Sequence, residues 1–266
     1  QRARVAVSPM CLIRLAYQTH PRYPLVLAAN RDEFYDRPSA PAAFWEDRPD
    51  VLAGRDLKEG GTWLGITKRG RLAALTNYRD PLSVRPDAPS RGWLVRNFLC
   101  GKESTARYLK DLSARAGRYN GFSLILGDVF NLHFFSNRDG SSPLAPGLYG
   151  LSNRLLDTDW PKVRRGKGRL AALLSQAERP DPEALFSLLA DRDRPEDGEL
   201  PDTGIGLEWE RILSSIFIAS PVYGTRSSSI LMVDRRRRAT FWERVFNGGD
   251  EPWMTAKFEF GVESGP

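Results

Sequence analysis

Short apolar runs bounded by turn residues occupy both ends of this chain, and apolar residues at helical spacing occupy its middle. Residues 11–17 and 25–29 flank Thr19-His20-Pro21-Arg22, which predicts two strands joined by a turn. Residues 36–60, rich in proline, glycine and charge, predict a loop. A second hairpin is predicted where Thr62-Trp63-Leu64-Gly65-Ile66-Thr67 and Arg71-Leu72-Ala73-Ala74-Leu75-Thr76 flank Lys68-Arg69-Gly70. Helical patterns follow. Ser90 is placed to cap a segment ending at Cys100, and Tyr108, Leu109, Leu112 and Ala116 recur at helical spacing until Gly117. Strands return at 121–126 and 131–135, with Asp128 near their turn, and Gly150-Leu151-Ser152-Asn153 closes that half. Asp159 reads as an N-cap ahead of Trp160-Pro161, with Val163, Leu170, Leu173 and Leu174 following. In that helix Gly166 and Gly168 each cost roughly 1 kcal/mol relative to alanine. A short helix at 182–190, a loop at 191–206 and strands at 214–220, 227–233, 239–246 and 253–260 complete the chain. Strands at both ends with helices grouped between them predict an α+β fold in which helices cover sheet faces.

Composition narrows the class. With 266 residues, 41% of them hydrophobic, the chain buries one sizeable core, read as a single domain over 10–266. Residues 1–9 carry basic residues without the apolar stretch of a secretory signal, and are read as an extension outside the fold. No apolar run approaches the roughly 18 residues of a membrane span. The net charge of +6 is spread along the chain. Its one dense run, Arg235-Arg236-Arg237-Arg238, lies between two strand-like segments and reads as a solvated turn, so no nucleic-acid partner is expected. Two cysteines, Cys11 and Cys100, make no disulfide framework and point to a reducing, cytoplasmic setting. Cys100, just before Gly101, reads as a buried helical cysteine.

Familiar catalytic motifs are missing. Gly150-Leu151-Ser152-Asn153-Arg154 lacks the second glycine of a nucleophile elbow, and Trp209 breaks a dinucleotide fingerprint after Gly204-Ile205-Gly206. The two histidines, His20 in a turn and His133 in an apolar strand, read as structural, and no metal site is expected. What remains is Met10-Cys11, a thiol that could become the first residue of a mature chain. A thiol attacks as thiolate, and its own α-amine, with an unperturbed pKa of about 7.7–8.0, is a base always within reach. Such a site also needs a cation near sulfur, an acid to hold the amine and donors for an oxyanion. Arg31, Asp32, Asn77, Asn153 and Arg226 all lie at predicted strand ends, where sites are grafted.

Several motifs carry a resemblance. Ala28-Ala29-Asn30-Arg31-Asp32-Glu33-Phe34, Gly60-Gly61-Thr62-Trp63-Leu64-Gly65, Leu75-Thr76-Asn77-Tyr78-Arg79, Gly150-Leu151-Ser152-Asn153, Trp160-Pro161-Lys162 and Tyr223-Gly224-Thr225-Arg226 together resemble the NRDE family, that of the transport-and-Golgi-organisation protein. The resemblance spans residues 10 to about 260 and implies an N-terminal-nucleophile-hydrolase-like fold, a four-layer αββα sandwich. Cysteine amidases of that superfamily begin Met-Cys and lose the methionine. By that likeness Cys11 is the nucleophile and its own amine the base, Arg31 sits beside sulfur, and Asp32 holds the amine. Asn77 and Asn153 contribute oxyanion or substrate contacts, and Arg226 completes the charge network. In the amidases the acid lies a few residues beyond the arginine, whereas here Asp32 is adjacent and Glu33 next, so both carboxylates stay open as the site acid. The mechanism requires removal of residues 1–10. The resemblance implies two roles: a cofactor-free hydrolase of a small linear amide or acyl compound, or a non-enzymatic intracellular transport factor with haem as cargo. Fold alone does not choose between them.

Overall fold

The computed structural model describes residues 10–249 and 251–263. The predicted extension, residues 1–9, lies outside the described residues. In chain order the strands and helices are β1 (Met10–Tyr17), β2 (Leu25–Phe34), β3 (Ser39–Trp45), β4 (Arg48–Asp56), β5 (Leu64–Thr67) and β6 (Arg71–Asn77), then α1 (Gly92–Cys100) and α2 (Thr105–Arg115). They continue with β7 (Phe122–Asp128), β8 (Asn131–Ser136), β9 (Gly140–Pro143), β10 (Gly147–Leu151), α3 (Pro161–Gln176), α4 (Pro182–Leu189), α5 (Leu207–Ile212), β11 (Tyr223–Val233), β12 (Arg238–Val245) and β13 (Met254–Gly261).

Two antiparallel sheets result. One runs β10-β1-β2-β11-β12-β13, and the other is a meander, β3 to β9 in order. Their facing sides share a core in which Ile13, Leu15, Leu27, Ala29, Leu231 and Phe241 meet Leu52, Leu64, Ile66, Leu72, Ala74 and Ile125. On the meander's outer face α1 and α2 bring Leu94, Val95, Phe98 and Leu112 against Ala73, Leu124 and Leu126. On the first sheet's outer face α3 and α4 bring Leu170, Leu185, Phe186 and Leu189 against Ala16, Val26, Ala28 and Ile230. The layers are therefore αββα, as the family resemblance implied. The central strands β1, β2, β6, β7 and β11 are covered on both faces, which is why they read as largely apolar runs.

Some local expectations are corrected. Residues 36–60 hold two strands, not a loop. β3 is an edge strand whose register breaks between Ala40 and Ala43 and between Phe44 and Trp45. Edge position and bulges are where a strand tolerates Pro41, so proline masked a buried series that includes Ala42, Trp45, Val51, Leu52 and Ala53. Ser90 is not the cap of α1. Arg91 holds the N-cap position, and Ser90 gives only its carbonyl, to Trp93 N at 3.3 Å. Asp159 does not cap α3 either; Trp160 stands there, and Asp159 pairs with Arg164 on the surface. Residues 214–220 form turns with one isolated bridge, Ala219 to Gly224, although Ile216, Phe217 and Ile218 are buried. Strand β9, exposed throughout, and the short helix α5 were not anticipated. Cys100 ends α1 as expected but is only half-buried. The arginine run does make the β11–β12 turn, with Asp234 accepting from Arg236 N and Arg238 N and Arg237 at φ 60°.

Candidate active site

Register decides what Cys11 faces. In the β1–β2 pair Cys11 lies opposite Arg31 and Met10 opposite Asp32. Side chains alternate across a sheet, so Cys11 and Arg31 share the face of Ile13, Leu27 and Ala29, toward the meander. There the inter-sheet core gives way to a cleft of about 420 Å³ that Cys11, Arg31, Glu33, Arg37, Asn77 and Arg226 help to line. That volume is in the range of small-molecule pockets, roughly 300–1,000 Å³. Cys11 is only 6% exposed at its floor. Burial pushes the thiol well above the ordinary thiol range and Asp32 adds to this, while Arg31 and the Asp32 backbone N–H act the other way.

Glu33 projects to the cleft side. Its Oε1 accepts from Phe34 N at 2.9 Å, and its Oε2 lies 3.5 Å from Arg37 Nε and 3.9 Å from Arg31 Nη2. Arg37 also binds Asp56 at 2.5 Å. Asp32, one residue earlier, also contributes to the lining of the cleft, but strand alternation sends its carboxylate to the other face. Thr225 Oγ1 donates to Asp32 Oδ1 at 2.7 Å, while Oδ2 is buried with no hydrogen-bond partner. Burial raises the Asp32 carboxyl, opposed by Lys162, the Thr225 hydroxyl, Arg14 and Arg31. Lys162 is buried and donates to Leu213 O at 2.8 Å; burial lowers it, as does Arg79. Arg14 is wholly buried on the same side, its three guanidinium nitrogens without partners, pressed against α3 at Gly166. The two carboxylates left open by the sequence thus occupy opposite faces of β2.

The remaining predicted residues divide. Asn77 ends β6, is nearly buried and lines the cleft. Asn153 is not among the lining residues; its Nδ2 donates to Asn77 O at 3.0 Å and its carbonyl accepts from Arg79 N, so it holds the Asn77 segment from behind. Arg226 sits at the bulge between Thr225 and Ser227. Its Nη1 donates to the carbonyls of Phe34, Tyr35 and Arg37 at 2.9, 3.2 and 3.1 Å, clamping the exit from β2. Neither histidine lines the cleft. His20 is fully engaged, with Nδ1 accepting from Arg22 N and Tyr23 N and Nε2 against Ala177 O. Among the described residues no group of three His, Cys, Asp or Glu side chains could hold a metal.

Residues 10–248 match the family model "Transport and Golgi organisation 2". The chain belongs to that family. A mouse relative, Transport and Golgi organization 2 homolog, is 39% identical over 277 residues, covering 96% of this chain and all of the relative. Among solved structures the chain is similar to penicillin V acylase from Agrobacterium tumefaciens, with a TM-score of 0.42, 12% identity, and 95% and 86% of the two chains covered. It is similar also to a Caenorhabditis elegans N-acylethanolamine-hydrolyzing acid amidase ortholog, with a TM-score of 0.46, 11% identity, and 83% and 92% covered. At such TM-scores the likeness says nothing about chemistry, and the layer order rests on the contacts above.

In this family member the cleft also holds residues that the sequence did not single out. Arg91 falls in sequence just after Ser90, at the start of the predicted helix, and was not singled out. In the fold it lines the cleft, and its Nη1 donates to Gly121 O at 2.8 Å. Glu243 did leave a signal. It follows Phe241 by two in β12, so period-two reading puts an acid on a buried face. Its oxygens accept from Ala42 N at 2.6 Å and Ser229 Oγ at 3.3 Å, and burial raises its carboxyl.

Proposed function

We propose that this chain is a cysteine-nucleophile hydrolase of linear amides or related acyl compounds, active once the residues before Cys11 are removed. One observation carries the reading: Cys11 and Arg31 share a row at the cleft floor, while Asp32 lies behind the next row, where the mature chain would begin. Peptide-bonded as Met10-Cys11, the sulfur is buried, has a raised pKa and has no histidine beside it in the cleft. Cleavage supplies the missing base. The new α-amine lies on the strand between thiol and carboxylate, and the unpartnered Asp32 Oδ2 is the acceptor for its ammonium form. The amine takes the thiol proton, sulfur attacks the substrate carbonyl, and the C–N bond breaks as the leaving amine takes that proton back. Water then attacks the thioester, gives its proton to the α-amine and releases the carboxylic acid and the thiol. Asn77 at the cleft wall is the oxyanion donor, Arg31 holds the developing thiolate, and Asn153 and Arg226 position these groups.

Haem as cargo has less support. Of the side chains that ligate haem iron, Cys, His, Met and Tyr, the cleft offers Cys11 alone. Intact mass of protein isolated from its native host tests the mechanism. The expected mass is that of a chain beginning at Cys11, labelled by thiol-reactive acyl probes. A mass retaining the preceding residues sinks it.

A further inference from the structure

The cleft lining carries five arginines, Arg31, Arg37, Arg55, Arg91 and Arg226, and five carboxylates, Asp32, Glu33, Asp56, Glu59 and Glu243, but they do not pair off one to one. Arg31 and Arg37 face Glu33, and Arg37 also holds Asp56. Arg55 is engaged by Asp47 through two hydrogen bonds, at 2.9 and 2.7 Å. Arg226 is occupied by three backbone carbonyls. Glu243, its carboxyl raised by burial, accepts from Ala42 N and Ser229, and the Asp32 carboxylate lies behind the sheet. Arg91 is left with one carbonyl partner, Gly121 O, and no carboxylate within ion-pairing distance among the described residues. It stays cationic: burial lowers it to about 10, with Cys11 and Glu33 opposing that drop.

Its seat is built by the backbone. Gly61 and Gly92 cross so closely that a Cβ on Gly61 would lie 2.6 Å from the Gly92 carbonyl carbon, and Thr62 N donates to Gly92 O at 3.2 Å. That crossing fixes the residue before Gly92 at the cleft, whose lining also includes Trp63. The apolar side chains of the lining include Trp63, Pro41, Leu75, Val245 and, at 60% exposure, Trp253.

We propose that the cleft takes an amide joining an apolar acyl chain to a carboxylate-bearing amine, an N-acyl amino acid, with Arg91 binding the carboxylate and the apolar side chains of the lining binding the acyl chain. The fate of the amide rests on the hydrolase reading, with Cys11 cleaving the C–N bond to a carboxylic acid and an amino acid; the binding does not. An unpaired guanidinium in a largely buried site makes strong charge-assisted bonds to carboxylate, and a neutral amide there cannot replace them.

The test uses the full chain carrying Cys11→Ala, titrated calorimetrically with N-decanoylglycine and with its uncharged counterpart N-decanoylglycinamide. The glycine conjugate is expected to bind at least about tenfold more tightly. Arg91→Gln is expected to erase that difference while leaving glycinamide affinity within about twofold, and Arg91→Lys to restore part of it. Equal binding of the two ligands, binding of neither, or a preference that survives Arg91→Gln overturns the proposal. Decanoate release is then measured on protein beginning at Cys11. Selective binding without release overturns the hydrolase reading and leaves the carboxylate site standing.

Discussion

At Cys11 two neighbours on one strand act in opposite directions. Asp32 raises the thiol and Arg31 lowers it, and their side chains leave opposite faces of β2. Below its pKa a thiol reacts in proportion to its thiolate fraction. Arg31→Gln is therefore expected to slow alkylation of Cys11 by iodoacetamide at pH 8, and Asp32→Asn to speed it, each by about tenfold. Stopped-time mass spectrometry of the Cys11 peptide reads both, with Cys100 as internal reference. Equal effects of one sign would mean the two variants act by disturbing packing. Residues of this kind were legible early because strand ends gather at one rim, and Cys11, Arg31, Asn77 and Arg226 do meet there. Which of Asp32 and Glu33 faces the cleft was not legible, because it depends on the parity of a pairing with β1 that the sequence does not display. Arg91 was hidden for another reason. Its position follows from a contact between Gly61 and Gly92, some thirty residues apart.

Helix α3 shows what element-level propensity omits. Read as sequence, Gly166 and Gly168 are equivalent defects. In the packed molecule a Cβ at Gly166 would lie 2.0 Å from Arg14 Nε, whereas one at Gly168 meets nothing within 4 Å. Arg14 is fully buried, so its guanidinium has no open direction in which to move. Gly168→Ala is expected to stabilise by about 0.5–1 kcal/mol through helix propensity alone. Gly166→Ala is expected to destabilise by about 2 kcal/mol or more despite the same propensity gain. Urea unfolding of the two variants decides it, and a stabilised Gly166→Ala would show that Arg14 is not held where the helix requires it. Elements fared as their periodicity allowed. Strands covered on both sides stood out as apolar runs, while β3 was lost behind Pro41 and β9, exposed throughout, had no apolar residue facing a core.

At the scale of the whole molecule, burial raises three carboxyls among the described residues, Asp32, Glu33 and Glu243. A carboxyl whose folded-state pKa exceeds its unfolded value contributes stability that is fully present below about pH 4.5 and is lost as pH rises through the folded value. Surface carboxyls such as Asp47 and Asp197, lowered by hydrogen bonds from Arg55 and Arg211, act with the reverse sign but at exposed positions of small worth. Glu243→Gln is therefore expected to melt closer to wild type at pH 4.5 and progressively above it by pH 8, as followed by circular dichroism. A gap independent of pH would remove Glu243 from the set.

The pairing of β2 with β11 carries a consequence for the order of assembly. It joins Leu25 to Val233 and Thr225 to Asp32, about two hundred residues apart, whereas the meander closes strand by strand from 39 to 143. During synthesis at roughly 5–20 residues per second, the open edge of β2 waits on the order of 10–40 s for its partner. The hydroxyl that holds Asp32 and the arginine that clamps the β2 exit both arrive on β11. Until β11 docks, the Asp32 carboxylate and the β2 exit lack both of these partners, so the cleft is completed only after about 225 residues have been made.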